Sequence, residues 1–277
     1  MDTNSKRGSH GPVSPTVSSG GPSETPSGSG GLLLPLLALL SLTLVTQLAS
    51  LAYNMATVPR PTGAPNPNIL VALVLSGIIL SVLTVPLAAL GLRLGTSLNL
   101  GAPLLSSLLL RVPGSIARLG REAAVAVPLG LVLGIGLFLL RVAVQQYLPP
   151  SLPEFGHRGV MGGLLASTGA AVAEEVWVRL GLMTVLVWLL VRAFRLPDAR
   201  PSVVWTANVL AAAAFGLLHL PQLAQYGAAT VIGISGTMLG NGIVGVAFGW
   251  LYWRHSLLAA MLGHFSVDLV LHVFPAL

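Results

Sequence analysis

Long apolar runs separated by short polar breaks dominate this chain of 277 residues. A helix rises about 1.5 Å per residue, so a bilayer core of about 30 Å needs roughly 20 apolar residues to cross it. By that rule the chain contains seven candidate spans, at residues 32–56, 68–92, 123–147, 160–194, 203–220, 228–253 and 256–274. The pattern therefore predicts an all-α fold, a polytopic transmembrane bundle.

Residues 97–119 leave the number of spans open between seven and eight. Their middle is apolar, but they also carry Pro103, Arg111, Pro113 and Arg118. This mixture favours a helix at the membrane interface over an eighth span.

Composition agrees with a membrane protein, because only 8% of the residues are charged and 54% are hydrophobic. A soluble domain has about 25% charged residues. We therefore expect a multi-pass protein whose surroundings are the lipid bilayer and which has no nucleic-acid partner. The chain has no cysteine, which excludes disulfides, thiolate metal sites and cysteine nucleophiles.

The segment before the first span differs sharply from the rest. Residues 1–31 are mostly Ser, Gly, Pro and Thr, a composition that predicts a disordered tail ahead of a transmembrane domain at residues 32–277. Basic residues concentrate before the first span and in alternate loops, which contain Arg93, Arg121, Arg192 and Arg254. The positive-inside rule then predicts a cytoplasmic N-terminus in the plasma or inner membrane.

Gly-xxx-Gly pairs mark places where helices can approach one another closely. They lie at residues 130/134, 236/240 and 245/249. Such pairs allow backbones to come into contact. We interpret them as packing within the bundle and not as dimerisation motifs.

Three short polar clusters interrupt the apolar spans. The fourth span contains Glu174, Glu175 and Arg179, the fifth ends with Phe215 and His219, and the seventh contains His264 and Asp268. Ionisable groups at bilayer depth cost several kcal/mol, so they normally face a protein interior or a water-filled cavity. The clusters therefore predict a polar cavity inside the bundle, with an active site as the leading hypothesis.

Spacing suggests how the charged residues divide their tasks. Glu174 and Glu175 are adjacent and point about 100° apart on a helix. Glu175 and Arg179 are spaced i,i+4, so they can pair and leave Glu174 free. His264 and Asp268 have the same spacing, so Asp268 can orient the imidazole or both can bind a metal ion. The alternative for each cluster is an ion network or a hydrogen-bonded pair that only fixes packing.

The three clusters, in this order, resemble the CPBP (Abi) family, which contains the type II CAAX prenyl proteases and bacterial proteins linked to bacteriocin processing and immunity. The family motifs EExxxR, FxxxH and HxxxN/D correspond to Glu174-Glu175-Arg179, Phe215-His219 and His264-Asp268 over about residues 160–272. The resemblance implies an intramembrane endopeptidase acting on a hydrophobic or prenylated, CAAX-like peptide. Asp268 stands where the prenyl endopeptidases often have asparagine.

On this interpretation Glu174 and His219 activate water, while His264 and Asp268 stabilise the oxyanion. A metalloprotease is the other form of the hypothesis, with zinc held by Glu174, His219, His264 and Asp268. Two rivals from other classes are a proton-coupled transporter or channel and a non-catalytic scaffold. A protease needs Glu174, His219 and His264 in one cavity, whereas a proton relay would distribute them across the bilayer.

Overall fold

The computed structural model describes Met1, residues 30–57 and residues 68–277. Within these ranges the regular structure is helical, and the α-helices are α1 Gly30–Thr57, α2 Ile69–Gly95, α3 Pro103–Leu109, α4 Ser115–Val144, α5 Gly159–Glu174, α6 Thr184–Ala193, α7 Pro201–Gln225, α8 Val231–Arg254 and α9 Leu257–Asp268. The predicted N-terminal tail lies outside the described residues except for Met1 and the start of α1.

Seven segments of the described chain are long and apolar enough to cross a membrane, and each overlaps a predicted span. They are Gly31–Thr57, Ile69–Leu98, Ser115–Tyr147, Gly159–Ala193, Pro201–Gln225, Val231–Arg254 and Leu257–Ala276. Residues 97–119 contain the short helix α3 and the first turn of α4, so they do not add an eighth span. The prediction of an all-α polytopic bundle is confirmed, and the protein is an integral multi-pass membrane protein.

The helices meet through glycines at two of the three predicted pairs. A Cβ added to Gly130 of α4 would overlap the carbonyl of Gly263 on α9, and one added to Gly134 would come within 2.9 Å of Val270. On α8, Gly245 faces Ala212 and Gly249 faces Asn208, both on α7. Residues 130/134 and 245/249 therefore pack within the bundle, as predicted, whereas an added Cβ at Gly236 would meet nothing within 4 Å.

Two π-helical segments follow site carboxylates directly. The first, Glu175–Met183, joins α5 to α6, and the second, Leu269–Val273, continues α9 beyond Asp268. A π turn is wider than an α turn, is uncommon, and is frequently found at functional sites. The apolar pattern predicted one uninterrupted span at 160–194 and contained no signal for this change of pitch.

Candidate functional site

A cavity of about 860 Å³ opens inside the bundle. Its wall includes Glu174 at the end of α5, His219 on α7, and His264 and Asp268 on α9, together with the ring of Phe215. The three polar clusters, which are far apart in the sequence, therefore converge on one cavity. Glu175 and Arg179 are fully buried behind the cavity wall.

The buried pair is the one expected from the i,i+4 spacing. Arg179 Nη1 lies 3.0 Å from Glu175 Oε1, and the two side chains are 1% and 0% exposed. Arg179 Nη2 also donates to the carbonyl of Gly245 at 3.2 Å. The guanidinium lies over the rings of Phe215 and Phe248, at 4.6 and 5.2 Å, where cation–π attraction offsets part of its desolvation. Arg179 is thus held by one carboxylate, one carbonyl and two aromatic faces.

Glu175 has a second task, because the same oxygen binds His264. Nδ1 of His264 lies 2.8 Å from Glu175 Oε1. A carboxylate that is paired with arginine only accepts hydrogen bonds, so Nδ1 carries the hydrogen and Nε2 is left for other contacts. The imidazole also stacks on Phe248, with 4.7 Å between ring centroids and 14° between planes. These contacts fix both the position and the plane of the ring.

The predicted role of Asp268 in orienting His264 needs correction. Asp268 Oδ2 lies 3.8 Å from His264 Nε2, which is beyond hydrogen-bond range. The i,i+4 spacing does bring the carboxylate near the ring, but the orienting bond comes from Glu175 on another helix. Asp268 instead lies between two histidines, because His272 Nε2 is 4.0 Å from its Oδ1.

Glu174 is the carboxylate left without arginine, in agreement with the spacing argument. Its side chain is 26% exposed, and its Oε2 lies 3.7 Å from His264 Nε2. The adjacent Glu175 points into the protein while Glu174 points into the cavity. The two neighbouring acids therefore have different surroundings: Glu175 is buried and paired with Arg179, whereas Glu174 is partly exposed to the cavity.

His219 presents one ring nitrogen as a base. Its Nδ1 lies 2.8 Å from the carbonyl of Phe215. A carbonyl only accepts, so Nδ1 donates, and in the neutral ring Nε2 is an acceptor. Phe215 lies between the two histidines, with its ring centroid 4.8 Å from that of His219 and 6.0 Å from that of His264.

Sequence reasoning missed two residues of the site. Phe248 stacks on His264 and lies beneath Arg179, and its sequence signal was an aromatic residue inside the 245/249 glycine pair. His272 also lines the cavity. Its signal was the spacing, since His264, Asp268 and His272 follow one another at intervals of four residues.

The loop between α4 and α5 borders the cavity and carries charges of both signs. Arg141 Nη2 donates to the carbonyl of Pro153 at 3.3 Å, which ties the loop to α4. His157, Arg158 and Glu154 also line the cavity here. Partial burial and the neighbouring Arg158 lower the pKa of His157 from its ordinary value of 6.5, although the bond to the Glu154 carbonyl acts in the opposite direction.

The geometry of the four proposed zinc ligands bears on the metalloprotease hypothesis. Among the described residues, no group of three or more His, Asp and Glu side chains has the arrangement of a metal site. Within the proposed set, His264 Nε2 lies 3.7 Å from Glu174 Oε2 and 3.8 Å from Asp268 Oδ2. A zinc site made of Glu174, His219, His264 and Asp268 stays a prediction.

Comparison with known proteins gives a match over the part of the bundle that contains the three clusters. Residues 156–270 match the family described as type II CAAX prenyl endopeptidase Rce1-like. Neither the curated proteins nor the solved structures gave a match. The matched region contains α5 to α9 and every residue of the three motifs, and the family supports a CAAX-type intramembrane protease. The match of residues 156–270 to an Rce1-like family model thus supports membership of the CPBP family.

Proposed function

We propose that the protein is an intramembrane endopeptidase that hydrolyses a peptide bond in a hydrophobic or lipidated peptide. The observation that supports this function most directly is the grouping of Glu174, His219, His264 and Asp268 around one cavity. A proton relay would need its groups at successive depths across the bilayer. The grouping favours a single reaction centre.

Glu174 is the general base of the proposed reaction. It is the carboxylate without an arginine partner, and it is accessible from the cavity. It takes a proton from a water molecule, whose oxygen attacks the carbonyl carbon of the peptide bond. His219 Nε2 accepts a hydrogen bond from the same water and orients it. When the tetrahedral intermediate collapses, Glu174 passes the proton to the leaving nitrogen, as expected for a carboxyl that alternates between base and acid.

His264 stabilises the negative charge that develops on the substrate oxygen. Glu175 and Phe248 hold the ring, so in its cationic form Nε2–H is presented to the oxyanion without reorganisation. Asp268 cannot donate to an oxyanion while it is ionised, so its task is to support the positive charge of the neighbouring histidines. Glu175 and Arg179 act as positioning residues.

The cavity wall favours an apolar substrate. Leu137, Leu140 and Val144 of α4 and Leu271 beyond α9 line it. Such a surface accepts the side chains of a hydrophobic peptide or a lipid group attached to one. We therefore propose this substrate class, and we leave prenylated and unmodified peptides as the two arms of the test.

The deciding experiment is cleavage of hydrophobic peptides by the purified protein in detergent, with prenylated and unmodified forms of each peptide. Glu174→Gln should reduce the rate by roughly 100-fold or more, since general acid–base catalysis contributes that much. Asp198→Asn, a change of the same chemistry at an exposed carboxylate that does not line the cavity, should retain activity. Cleavage by Glu174→Gln at the wild-type rate, or no cleavage by the wild type, would refute the proposal.

A further inference from the structure

The first membrane helix presents an unexpected polar face to the cavity. Gln47, Ser50 and Asn54 of α1 follow the spacing i, i+3, i+7, and all three line the cavity. This face lies outside the family match, which begins at residue 156. Polar side chains at bilayer depth need partners, because an unpaired polar group in an apolar medium costs several kcal/mol. The described residues supply no hydrogen bond to these three side chains, although Ser50 is only 9% exposed.

Contacts with α5 show which end of this face is near the proposed base. Gly169 of α5 faces the carboxamide of Gln47, and Gly162 faces the ring of Tyr53. The two helices therefore run antiparallel. Glu174 lies beyond Gly169 on α5, so Gln47 is at the end of the polar face near Glu174. Asn54 is at the opposite end, towards the loop that contains Arg158.

The part of α5 that lies beside this polar face has small side chains. Ala166, Ala170 and Glu174 form its cavity side, spaced one turn apart. Gly169 also leaves space for Gln47, since an added Cβ would stand 3.4 Å from the carboxamide carbon. Small side chains on α5 and amides on α1 thus line the part of the cavity that adjoins Glu174.

The dimensions and chemistry of the face match an extended peptide backbone. Gln47 and Asn54 are seven residues apart, or about 10 Å along a helix, which equals about three residues of extended peptide at roughly 3.3 Å each. A carboxamide offers both a donor and an acceptor, as the backbone of a peptide does. Backbone groups of a substrate at this depth would otherwise be unpaired.

We propose that Gln47, Ser50 and Asn54 form a backbone-binding subsite that holds about three residues of an extended peptide between Glu174 and the loop that contains Arg158. The substrate side chains then face the apolar residues of α4. The inference rests on the proposed function for the identity of its ligand as a substrate, but peptide binding can be measured without hydrolysis.

The test measures binding of a fluorescent hydrophobic octapeptide to the Glu174→Gln protein in detergent, so that cleavage does not remove the ligand. The same peptide is prepared with one backbone nitrogen methylated at a time. Methylation within a window of about three residues should weaken binding roughly threefold to tenfold, the range for the loss of one hydrogen bond. Methylation outside this window should have no effect.

Substitutions on α1 identify the partner of each amide. Gln47→Met and Asn54→Leu retain side-chain volume but remove the amide, and each should weaken binding of the unmodified peptide by a similar factor. Methylation of the matching peptide amide should then cause no further loss, and the two variants should respond at different peptide positions. Thr46→Val is the matched control, because Thr46 already donates to the Leu42 carbonyl and does not line the cavity.

The outcomes separate this inference from the proposed function. Unchanged affinity in both α1 variants, or methylation losses that persist in them, would overturn the subsite. Absence of saturable peptide binding would also overturn it. Methylation-sensitive binding through Gln47 and Asn54 by a wild-type protein that cleaves no peptide would instead contradict the proposed function and leave the subsite standing.

Discussion

At the residue scale, one carboxylate connects the structural and the chemical parts of the site. Glu175 Oε1 contacts both Arg179 and His264, at 3.0 and 2.8 Å. The spacing argument assigned Glu175 to structure and Glu174 to chemistry. The structure modifies this division, because the residue that stabilises Arg179 also positions the imidazole proposed to bind the oxyanion.

Glu175→Gln should therefore lower both stability and activity. The amide can still accept from His264 Nδ1, but Arg179 would remain buried without a counter-charge, and breaking a buried ion pair costs about 3–5 kcal/mol. Thermal unfolding should show this loss for Glu175→Gln, whereas Glu174→Gln should melt close to the wild type and lack activity. Equal loss of activity with unchanged melting in both variants would contradict this assignment.

Substitution of Asp268 can distinguish between two roles of its carboxylate, support of the histidine charges and support of a bound metal ion. If its carboxylate only supports the histidine charges, Asp268→Asn should retain partial activity, and a chelator should not affect wild type or variant. If Asp268 supports a bound metal, the same change should weaken metal affinity by roughly 10–100-fold, and added zinc should restore activity. Full wild-type activity in Asp268→Ala would remove the residue from the site and assign it to helix packing.

At the element scale, α9 is the helix whose position controls the chemistry, since it carries His264 and Asp268. Its N-terminus is capped by Ser256, which accepts from the Ala259 amide and donates to Glu122 of α4. Glu122 is buried and also accepts from Arg118 Nε at 2.8 Å. Further along, Gly130 of α4 lies against the backbone of Gly263. The place of α9 is thus set from α4 at two levels.

Gly130→Ala should displace α9 and disturb the site. The added methyl would overlap the Gly263 carbonyl, next to His264, and overpacking of this kind costs about 1–3 kcal/mol. We expect a lower melting temperature and reduced cleavage. Gly136→Ala is the matched control on the same helix, because its Cβ would meet nothing within 4 Å. A Gly130→Ala protein with wild-type melting and cleavage would show that the contact is not restrictive.

At the scale of the whole molecule, the cavity is lined by helices inside the region that matches the family and by helices that precede it. The matched region, residues 156–270, contains the three motifs. The cavity is also walled by α1 and α4, which contribute the polar face and much of the apolar surface. The matched region is thus proposed to perform the reaction, whereas α1 and α4 are proposed to select the substrate that enters the cavity.

The orientation of the whole protein in the membrane can be predicted from its loop arginines and tested by labelling. Alternate arginine-rich loops predict that the N-terminus and the loop with Asp198 are cytoplasmic, and that the loop with Ser151 is on the other side. The chain has no cysteine, so Asp198→Cys and Ser151→Cys each provide a unique label. In intact cells a membrane-impermeant thiol reagent should label only Ser151→Cys. Labelling of Asp198→Cys alone would reverse the predicted orientation, and the loop that borders the cavity would then be cytoplasmic.

Features that depend on short stretches of chain could be predicted from the sequence. Apolar runs predicted all seven spans, because crossing a bilayer is a requirement on length and hydropathy alone. The ion pair of Glu175 with Arg179 followed from helical spacing, which is a local property. The convergence of the three clusters was also predicted, since ionisable groups in a membrane protein must share a protected interior.

Contacts between helices required the folded structure. The spacing of His264 and Asp268 suggested a bond between them, whereas His264 is held by Glu175 from another helix and by the ring of Phe248. The position of the polar face of α1 beside α5, where Gln47 lies next to Gly169, likewise has no signal in the sequence. Such contacts depend on how each helix is rotated, tilted and placed in depth against its neighbours. Hydropathy is nearly the same for all these arrangements, so packing alone selects among them.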